Sequence, residues 1–397
     1  MRSRPFEGRR LWLAGIGGAG MSGYAVLAHA WGADVRGWDR VTTPYLEHLP
    51  PEIVVEIVPV PPQPPEDWEV FVSSAFGGRV TGRSRAELLA ELVGLQDAIV
   101  VAGAHGKTTT AGMIAFVLHE AGHDPAWLIG GDVPQLAGNA GVGDGWLVVE
   151  GDESDRTIAS LHPQIAVLTN VDLDHHTTFA SRAEVERLFE DFLASAPRSV
   201  RGDTLDPYDG ELAVPGEHNR RNAATALAAL ELVGVERAAA ELALAEFRGA
   251  GRRLERRGVL DGVEVIDDYA HHPAEIAATL EALRDGDGRL LVLFQPHLFS
   301  RTRHLARELA RALSLADIVA VADVYPARET PVAGIDGKLI VDALTEVRPG
   351  LTVGWMPSVG DGARFLAARA RAGDRIVTLG AGDVDRAATL LIEARTA

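Results

Sequence analysis

Cysteine is absent from the 397 residues of this sequence. Disulfide bonds, thiolate metal sites and a cysteine nucleophile are therefore excluded. Positive charge is scarce as well: 38 lysines and arginines stand against 56 aspartates and glutamates, which gives a net charge of -18. This excess of negative charge argues against a general affinity for nucleic acid or for an anionic membrane surface.

Long apolar runs are also missing. No segment approaches the roughly 18 uninterrupted apolar residues of a membrane-spanning helix, and no apolar signal-peptide region precedes the first strand-like segment. We therefore expect a cytoplasmic protein that neither inserts into a membrane nor binds nucleic acid. The length and the apolar fraction of 47% allow two or three globular domains.

Strand-like segments followed by glycine begin near residues 11, 98 and 290. Each opens a stretch in which apolar runs alternate with helical patterns, which predicts α/β domains with mainly parallel sheets. Residues 195–215 are rich in proline, glycine and aspartate and predict a loop. Residues 252–262 predict a boundary before a last domain.

The most informative segment is residues 103–110, Gly-Ala-His-Gly-Lys-Thr-Thr-Thr. An apolar strand-like run precedes it and a helix-like run follows, which is how proteins hold a nucleotide triphosphate: loop amides and the helix N-terminus face the anion, lysine bridges outer phosphate oxygens, and a hydroxyl meets Mg²⁺. The spacing departs from the common GxxxxGK[ST] form, because Gly103 lies only three residues before Gly106. The alternative is a plain glycine turn between a strand and a helix.

A second glycine motif lies near the start of the chain. Gly15, Gly17 and Gly20 satisfy GxGxxG after a strand-like run, and Asp39 ends the next candidate strand, Asp34 to Asp39. This pattern predicts a diphosphate at a helix N-terminus and a carboxylate on a ribose hydroxyl. NAD and a diphosphate-linked sugar nucleotide suit it equally, and a tight turn alone is the other interpretation.

Carboxylates follow two further strand-like runs. Residues 150–155, Glu-Gly-Asp-Glu-Ser-Asp, end one run, and Asp172, Asp174 and His175 follow another at residues 165–170. Strand-end carboxylates beside a triphosphate loop are where Mg²⁺ ligands are expected, and His175 could add a ligand for a second metal. A solvated acidic turn and a structural histidine are the alternatives.

Clusters of polar residues mark the second half of the chain. Residues 216–222 begin an alanine-rich helix, in which Asn219 could cap the helix or present its amide to a base. Residues 247–255 carry a basic pair, and residues 267–273 and 294–303 follow strand-like runs and are dense in histidine and arginine. Carboxyl ends of strands are where open α/β sheets bind ligands.

Taken in order, these segments resemble the Mur ligases, and in particular the branch that adds L-alanine. The resemblance covers nearly the whole chain. Its matching segments are 15–23, 73–75, 102–110, 150–155, 169–175, 216–223, 247–255, 267–273, 294–303 and 324–334.

The resemblance implies an α/β fold of three domains. These are a Rossmann-like domain for a UDP sugar at 1–95, a central P-loop ATPase domain at 96–251, and a C-terminal Rossmann-like domain at 252–397. It also implies that ATP phosphorylates the lactyl carboxylate of UDP-N-acetylmuramate, and that the amine of L-alanine then attacks the acyl phosphate. A monomer or weak homodimer is expected.

The resemblance also implies roles for individual residues. Catalysis and Mg²⁺ binding would involve Lys107, Thr108, Glu150, His175 and Arg253. The ATP site would comprise Gly103, His105, Gly106, Lys107, Thr108, Thr109, His218, Asn219, Arg253 and Asp268. The UDP-sugar site would comprise Gly15, Gly17, Gly18, Ser22, Asp39, Ser73 and Ser74, and the L-alanine pocket Tyr269, His271 and Arg301.

Several positions depart from the family pattern. Ala104 replaces a threonine of the phosphate loop, Gly151 replaces an alanine, and Leu298 stands where some members have arginine. Residues 198–215 span a gap in which the family usually carries several tens of residues more. We therefore expect a small peripheral sheet of the central domain to be missing.

Three alternatives remain open from the sequence. A murein-peptide recycling ligase shares the N-terminal and ATP motifs but joins a tripeptide. A non-catalytic nucleotide-binding homologue would bind ATP without releasing ADP. An NAD-dependent dehydrogenase would explain the GxGxxG motif but not the phosphate loop.

Overall fold

The computed structural model of the chain describes residues 4–173, 178–284, 288–327 and 329–393. Within these residues the chain forms three sheets with eleven α-helices. The α/β fold class expected from the sequence is confirmed, and the three sheets follow one another along the chain.

The first sheet is parallel throughout and has the strand order β3-β2-β1-β4-β5. This is the Rossmann strand order 3-2-1-4-5-6 without its sixth strand. Its strands are β1 (Arg10–Ala14), β2 (Asp34–Asp39), β3 (Val54–Ile57), β4 (Glu69–Val72) and β5 (Arg83–Ser84), and its helices are α1 (Ala19–Ala30) and α2 (Arg85–Gly94).

The second sheet has the order β11-β10-β6-β9-β7-β8 and is parallel except for the pair β7 and β8. Strand β6, near the middle of this sheet, is apolar and buried along its whole length, as expected for a strand covered on both faces. The strands are β6 (Ala98–Ala102), β7 (Ala126–Val133), β8 (Gly138–Gly141), β9 (Leu147–Glu150), β10 (Ile165–Leu168) and β11 (Arg198–Arg201), and the helices are α3 (Lys107–Glu120), α4 (Arg182–Ala194), α5 (Glu217–Val233) and α6 (Arg237–Ala245).

The third sheet has the order β12-β13-β17-β14-β15-β16, in which β12 is antiparallel to β13. Its strands are β12 (Glu255–Leu260), β13 (Val263–Asp268), β14 (Leu290–Phe294), β15 (Ile318–Val321), β16 (Thr352–Trp355) and β17 (Arg375–Leu379). Its helices are α7 (Pro273–Ala282), α8 (Phe299–Leu313), α9 (Gly337–Val347), α10 (Val359–Ala367) and α11 (Asp385–Glu393).

The chain divides into two compact units. The first contains the first two sheets, and the second contains the third sheet. The first unit comprises the chain up to Ala213 with Asn219–Ala250, and the second comprises Val214–His218 with the chain from Gly251 onward.

Two sets of polar contacts join the first two sheets within the first unit. The Nδ2 atom of Asn139, on β8, donates a hydrogen bond of 2.7 Å to the carbonyl of Ala19 in α1. Arg85, at the start of α2, forms ion pairs of 2.6 Å with Asp152 and 2.8 Å with Asp155, which lie in the acidic segment after β9. The acidic segment is therefore fixed from the first sheet as well as from its own.

The sequence expectation of a loop at residues 195–215 was wrong, because these residues contain β11, which pairs with β10 at the sheet edge. Residues 252–262, where a domain boundary was expected, contain β12. Both are edge strands with charged residues and few buried side chains, so the apolar signal that marks a central strand is weak in them. Residues 202–216 hold a short 3-10 turn, Gly202–Thr204, and no strand, in line with the expected shortening.

None of the helices in the described ranges combines the length and the apolar character that a membrane span requires.

Candidate active site

The predicted phosphate loop has the predicted local structure. Strand β6 ends at Ala102, and α3 begins at Lys107 with Gly106 as its N-cap in the left-handed region, at φ 82°. Gly103 has φ 134°, and a Cβ atom there would lie 2.1 Å from Thr169 Oγ1. Gly103 and Gly106 are therefore both required by backbone conformation, and Gly103 has no room for a Cβ atom beside Thr169.

Lys107 is folded against the loop and an acidic neighbour. Its Nζ donates hydrogen bonds to the carbonyls of Gly103, at 2.6 Å, and Ala104, at 3.2 Å, and to Glu153, at 3.0 Å. Burial alone would lower the pKa of Lys107, but the nearby carboxylates, led by Glu153, outweigh it and hold that pKa above its usual value. The ammonium group therefore stays charged at neutral pH, as binding a polyphosphate requires.

The structure brings together two of the three predicted metal ligands. The Thr108 hydroxyl donates a hydrogen bond of 3.0 Å to Glu150 Oε1, and the Gly130 N–H donates one of 2.6 Å to Glu150 Oε2. A hydroxyl and a carboxylate oxygen side by side form the hard-oxygen donor set that Mg²⁺ prefers. His175, the third predicted ligand, lies outside the described residues.

Two further phosphate-loop residues of the predicted ATP site lie beside these. Thr109 is buried in the first turn of α3. His105 contacts the segment that follows β10 with both its main chain and its side chain. Its main-chain N–H donates to Asn170 Oδ1 at 3.0 Å, and its ring Nε2 lies 3.5 Å from Asp172 Oδ2. Asp172 was predicted as one of the strand-end carboxylates beside the loop, whereas no role was predicted for Asn170.

The first sheet carries the predicted UDP-sugar residues at its carboxyl edge. Gly15 follows β1 with φ 84°, and a Cβ atom there would lie 2.5 Å from Ser73 Oγ and 2.8 Å from the Phe76 ring. Ser73 follows β4, Ser74 begins a short 3-10 turn, and Gly18 is the N-cap of α1. The glycine loop thus needs Gly15 for close packing against the end of β4.

Asp39 is bonded to the glycine loop itself. Its Oδ2 accepts a 2.9 Å hydrogen bond from the N–H of Gly17, and its Oδ1 accepts one of 2.7 Å from the N–H of Arg40. Ser22, in contrast, is buried within α1, where its hydroxyl donates to the carbonyl of Ala19 at 3.0 Å. The Ser22 hydroxyl therefore bonds within its own helix, whereas Asp39 bonds to the glycine loop.

In the second unit, Asp268 ends β13 in a buried position. Its two carboxylate oxygens each accept a 2.7 Å hydrogen bond, from the N–H groups of Leu254 and Ala270. Burial raises the pKa of Asp268 to about 6, although the charge of Arg253 and both hydrogen bonds act in the opposite direction. Burial, and then Arg253, lower the pKa of His218, so its ring is neutral at neutral pH.

The three predicted L-alanine-pocket residues are connected through His297, which the predicted site did not include: Arg301 and His271 contact it, and Tyr269 contacts His271. The ring of His271 lies 5.4 Å from the Tyr269 ring and 5.6 Å from the His297 ring, between ring centres. Arg301 Nη1 lies 3.3 Å from His297 Nδ1, and Tyr325 stacks on the other side of His297 at 6.0 Å. His297 stands in the cluster at 294–303, so its position at a strand end was the signal that could have identified it.

Asn219 does not cap its helix. The helix α5 begins at Glu217, so Asn219 lies inside its first turn, and of the two interpretations left open by the sequence the helix cap is excluded. Its side chain is buried, and Asn222 Nδ2 lies 3.3 Å from Asn219 Oδ1. Asn222 in turn packs against the phosphate loop, because a Cβ atom on Gly106 would lie 2.3 Å from Asn222 Oδ1.

Comparisons with known proteins agree with this arrangement. Residues 101–201 match the family model "Mur ligase middle domain", and residues 252–382 match "Mur ligase, glutamate ligase domain". A UDP-N-acetylmuramate–L-alanine ligase of Renibacterium salmoninarum is 38% identical over 455 aligned positions, which cover 97% of this chain and 96% of the relative. The alignment is longer than this chain, so the relative carries residues that this chain lacks.

Two solved ligase structures are similar to this chain along nearly its whole length. The UDP-N-acetylmuramate-alanine ligase MurC of Thermotoga maritima superposes with a TM-score of 0.80 at 25% identity and covers 98% of this chain and 99% of its own. A murein peptide ligase of Psychrobacter arcticus, at 24% identity, shares the fold with a TM-score of 0.66 over 98% of both chains. Two Mur ligase family models match residues 101–201 and 252–382, and a relative that covers 97% of this chain is 38% identical to it. The chain therefore belongs to the Mur ligase family.

Proposed function

We propose that this chain joins L-alanine to the lactyl carboxylate of UDP-N-acetylmuramate at the expense of ATP, a step of peptidoglycan precursor synthesis. The observation that carries the proposal is the match over 97% of the chain to a relative named for that ligation. The loop between β6 and α3, with a charged lysine beside a hydroxyl and a carboxylate, supports the use of ATP.

The chemistry explains why a triphosphate is needed. A carboxylate is a poor electrophile, so the γ-phosphoryl group is first transferred to a carboxylate oxygen, which gives an acyl phosphate and ADP. The amine of L-alanine then attacks the carbonyl carbon, the bond to the phosphate oxygen breaks, and a proton leaves the nitrogen. The products are the amide and inorganic phosphate, and catalysis rests on positioning and on neutralising phosphoryl charge.

The residues of the phosphate loop take the binding roles. Lys107 exchanges its contacts with loop carbonyls and Glu153 for the outer phosphate oxygens, while Thr108 and Glu150 hold Mg²⁺. Bound there, Mg²⁺ supplies positive charge next to the phosphates. We assign a second Mg²⁺ to His175 and contact with the γ-phosphate to Arg253.

The remaining predicted residues stay proposals about substrate binding. We assign the rest of the ATP contacts to the loop residues Gly103, His105, Gly106 and Thr109 and to His218, Asn219 and Asp268. Contacts to the UDP sugar are assigned to Gly15, Gly17, Gly18, Ser22, Asp39, Ser73 and Ser74, and contacts to L-alanine to Tyr269, His271 and Arg301.

The proposed domain limits follow the three sheets: 1–95 for the UDP sugar, 96–251 for ATP, and 252–397 for the amino acid and ATP. We propose that the reaction takes place in the cytoplasm, which the proposed substrates, a nucleotide sugar and ATP, support. We further propose a monomer or weak homodimer that needs neither nucleic acid nor membrane insertion.

The amine substrate distinguishes this proposal from a murein-peptide recycling ligase. This chain shares the fold of the murein peptide ligase of Psychrobacter arcticus. Purified protein is given ATP, Mg²⁺, UDP-N-acetylmuramate and either L-alanine or L-Ala-γ-D-Glu-meso-diaminopimelate, and the product is weighed by mass spectrometry. We expect amide formation with L-alanine. Amide formation with the tripeptide instead would establish the recycling activity.

A further inference from the structure

Asn170 connects the end of β10 to the phosphate loop through its side chain. The carboxamide makes two hydrogen bonds with the main chain of His105: Oδ1 accepts from the N–H at 3.0 Å, and Nδ2 donates to the carbonyl at 2.9 Å. The main-chain carbonyl of Asn170 also accepts a 3.1 Å bond from the N–H of Ala104. Asn170 thus bonds to two successive residues of the loop.

These bonds continue the pairing of two strands beyond their ends. In the parallel pair of β6 and β10, Ala102 lies opposite Leu168, and the N–H of Thr169 donates to the carbonyl of Ala102 at 2.9 Å. The Asn170 carboxamide then presents one donor and one acceptor to His105, as the backbone of a neighbouring strand would. The loop therefore starts from a defined position on the sheet.

The loop needs such external support because of its composition. It begins with Gly103 and ends with Gly106, both at positive φ, and glycine loses more conformational freedom on ordering than other residues do. Thr169 Oγ1 donates a second bond, of 2.7 Å, to the carbonyl of His105, the same oxygen that Asn170 Nδ2 reaches. Both the N–H and the carbonyl of His105 are thus held by side chains from outside the loop.

We propose that Asn170 is a positioning residue for nucleotide binding: it holds the loop in the shape that presents its amides and Lys107 to a triphosphate. Ordering the loop in advance removes a cost that ATP binding would otherwise bear. This inference rests on the proposed function, because it takes the loop to be the ATP site. A merely structural role would stabilise the fold without affecting ATP.

The test compares Asn170→Ala, which removes both side-chain bonds, with Asn170→Asp, which has nearly the same volume. Asp keeps an acceptor for the N–H of His105 but places a second oxygen against its carbonyl. The readouts are the Kd of a non-hydrolysable ATP analogue and the KM for each of the three substrates. For two lost hydrogen bonds of ordinary strength we expect the Kd and the KM for ATP to rise about tenfold or more. The KM for UDP-N-acetylmuramate should stay close to that of the wild type.

Gln96→Ala is the matched control. Gln96 precedes β6, at the opposite edge of the same sheet, and its Nε2 donates to the carbonyls of Gly143, at 3.0 Å, and Gly145. We expect this variant to lower the melting temperature but to leave the Kd of the ATP analogue unchanged.

The outcomes separate the two proposals. Asn170 variants that melt earlier but bind the analogue like the wild type would overturn the positioning role and leave the proposed function standing. A wild-type protein that does not bind the analogue at all would contradict the ATP site itself, and the positioning role with it.

Discussion

The Nζ atom of Lys107 lies 3.0 Å from both carboxylate oxygens of Glu153, whose side chain is only 4% exposed. This buried pair has two consequences. It keeps Lys107 positively charged in the loop. It also means that the lysine proposed to bind ATP contributes to the stability of the loop.

Lys107→Ala should abolish ligation because the phosphate oxygens lose their cation. It should also destabilise the fold by about 3 kcal/mol, because the buried carboxylate of Glu153 loses its ion pair with Lys107. The double variant Lys107→Ala with Glu153→Gln should recover most of that stability without recovering activity. Denaturant unfolding and a phosphate-release assay measure the two effects separately.

The sequence offers a matched control, since Lys338 is the one other lysine among its 397 residues. It is exposed on α9 and pairs with Asp342 one turn away. Lys338→Ala should retain both stability and activity. Ligation by Lys107→Ala at the wild-type rate would show that the phosphate loop is misassigned.

Glu150→Gln should weaken the response to Mg²⁺, because the hard-oxygen pair with Thr108 loses its negative charge. We expect the Mg²⁺ concentration for half-maximal activity to rise on the order of tenfold. Titration of activity with Mg²⁺ at saturating ATP measures this. Glu241→Gln, on the exposed face of α6, is the control, and an identical Mg²⁺ response in both variants would remove Glu150 from the metal site.

Asp268 should make stability depend on pH in the acid range. Its pKa is about 6 in the folded protein and about 3.9 in an unfolded chain. Between these values the folded state binds the proton more tightly, so the free energy of unfolding contributed by this group decreases as pH rises from about 4 to about 6, by on the order of 3 kcal/mol.

Asp268→Asn should remove this contribution. Unfolding free energies measured between pH 4 and pH 7 should then fall less with rising pH than they do for the wild type. A difference between the two proteins that is constant across this range would mean that Asp268 does not titrate there.

Arg252 should be far more important for stability than its position near a unit boundary suggests. Its guanidinium donates to Asp267 Oδ2 at 2.8 Å and to the carbonyls of Gly380, at 2.7 Å, and Gly382, at 3.1 Å, and the Asp267 side chain is fully buried. Arg252→Ala leaves that carboxylate without its cation and should cost about 3–5 kcal/mol of unfolding free energy.

The control for Arg252 is Arg256→Ala. The Arg256 side chain is 77% exposed and pairs with Glu264. Solvent around the exposed guanidinium screens this pair, and such ion pairs contribute about 1 kcal/mol or less. Equal losses in the two variants, measured by denaturant unfolding, would show that the buried pair with Asp267 is not what stabilises this end of β13.

Local sequence patterns predicted the parts of the site that follow apolar strands. The run 98–102 gave the strand before the phosphate loop, and the runs ending at Asp39 and Asp268 gave the strands that carry those carboxylates. Strand β6 is apolar and buried along its whole length, whereas β2 and β13 interleave polar with buried residues. In all three strands the functional residues lie at or just after the carboxyl end of the strand, where open α/β sheets bind ligands.

Contacts between distant segments could not be predicted in this way. Asn170 and His105 are 65 positions apart, and Arg85 and Asp152 are 67 apart. Hydropathy periodicity reports which face of an element is buried, but it does not report which side chain meets it. The sequence pattern did not predict the edge strand β11 either, because Val200 is its single buried residue and one residue gives no periodic hydropathy signal.

The most direct test of the account is release of inorganic phosphate by the purified protein, measured with ATP, UDP-N-acetylmuramate and L-alanine together and with each omitted in turn. We expect rapid phosphate release, with an equal amount of ADP, in the complete mixture and none when any one substrate is left out. Binding of ATP without ADP release in the complete mixture would contradict the proposed ligation and identify a non-catalytic nucleotide-binding protein.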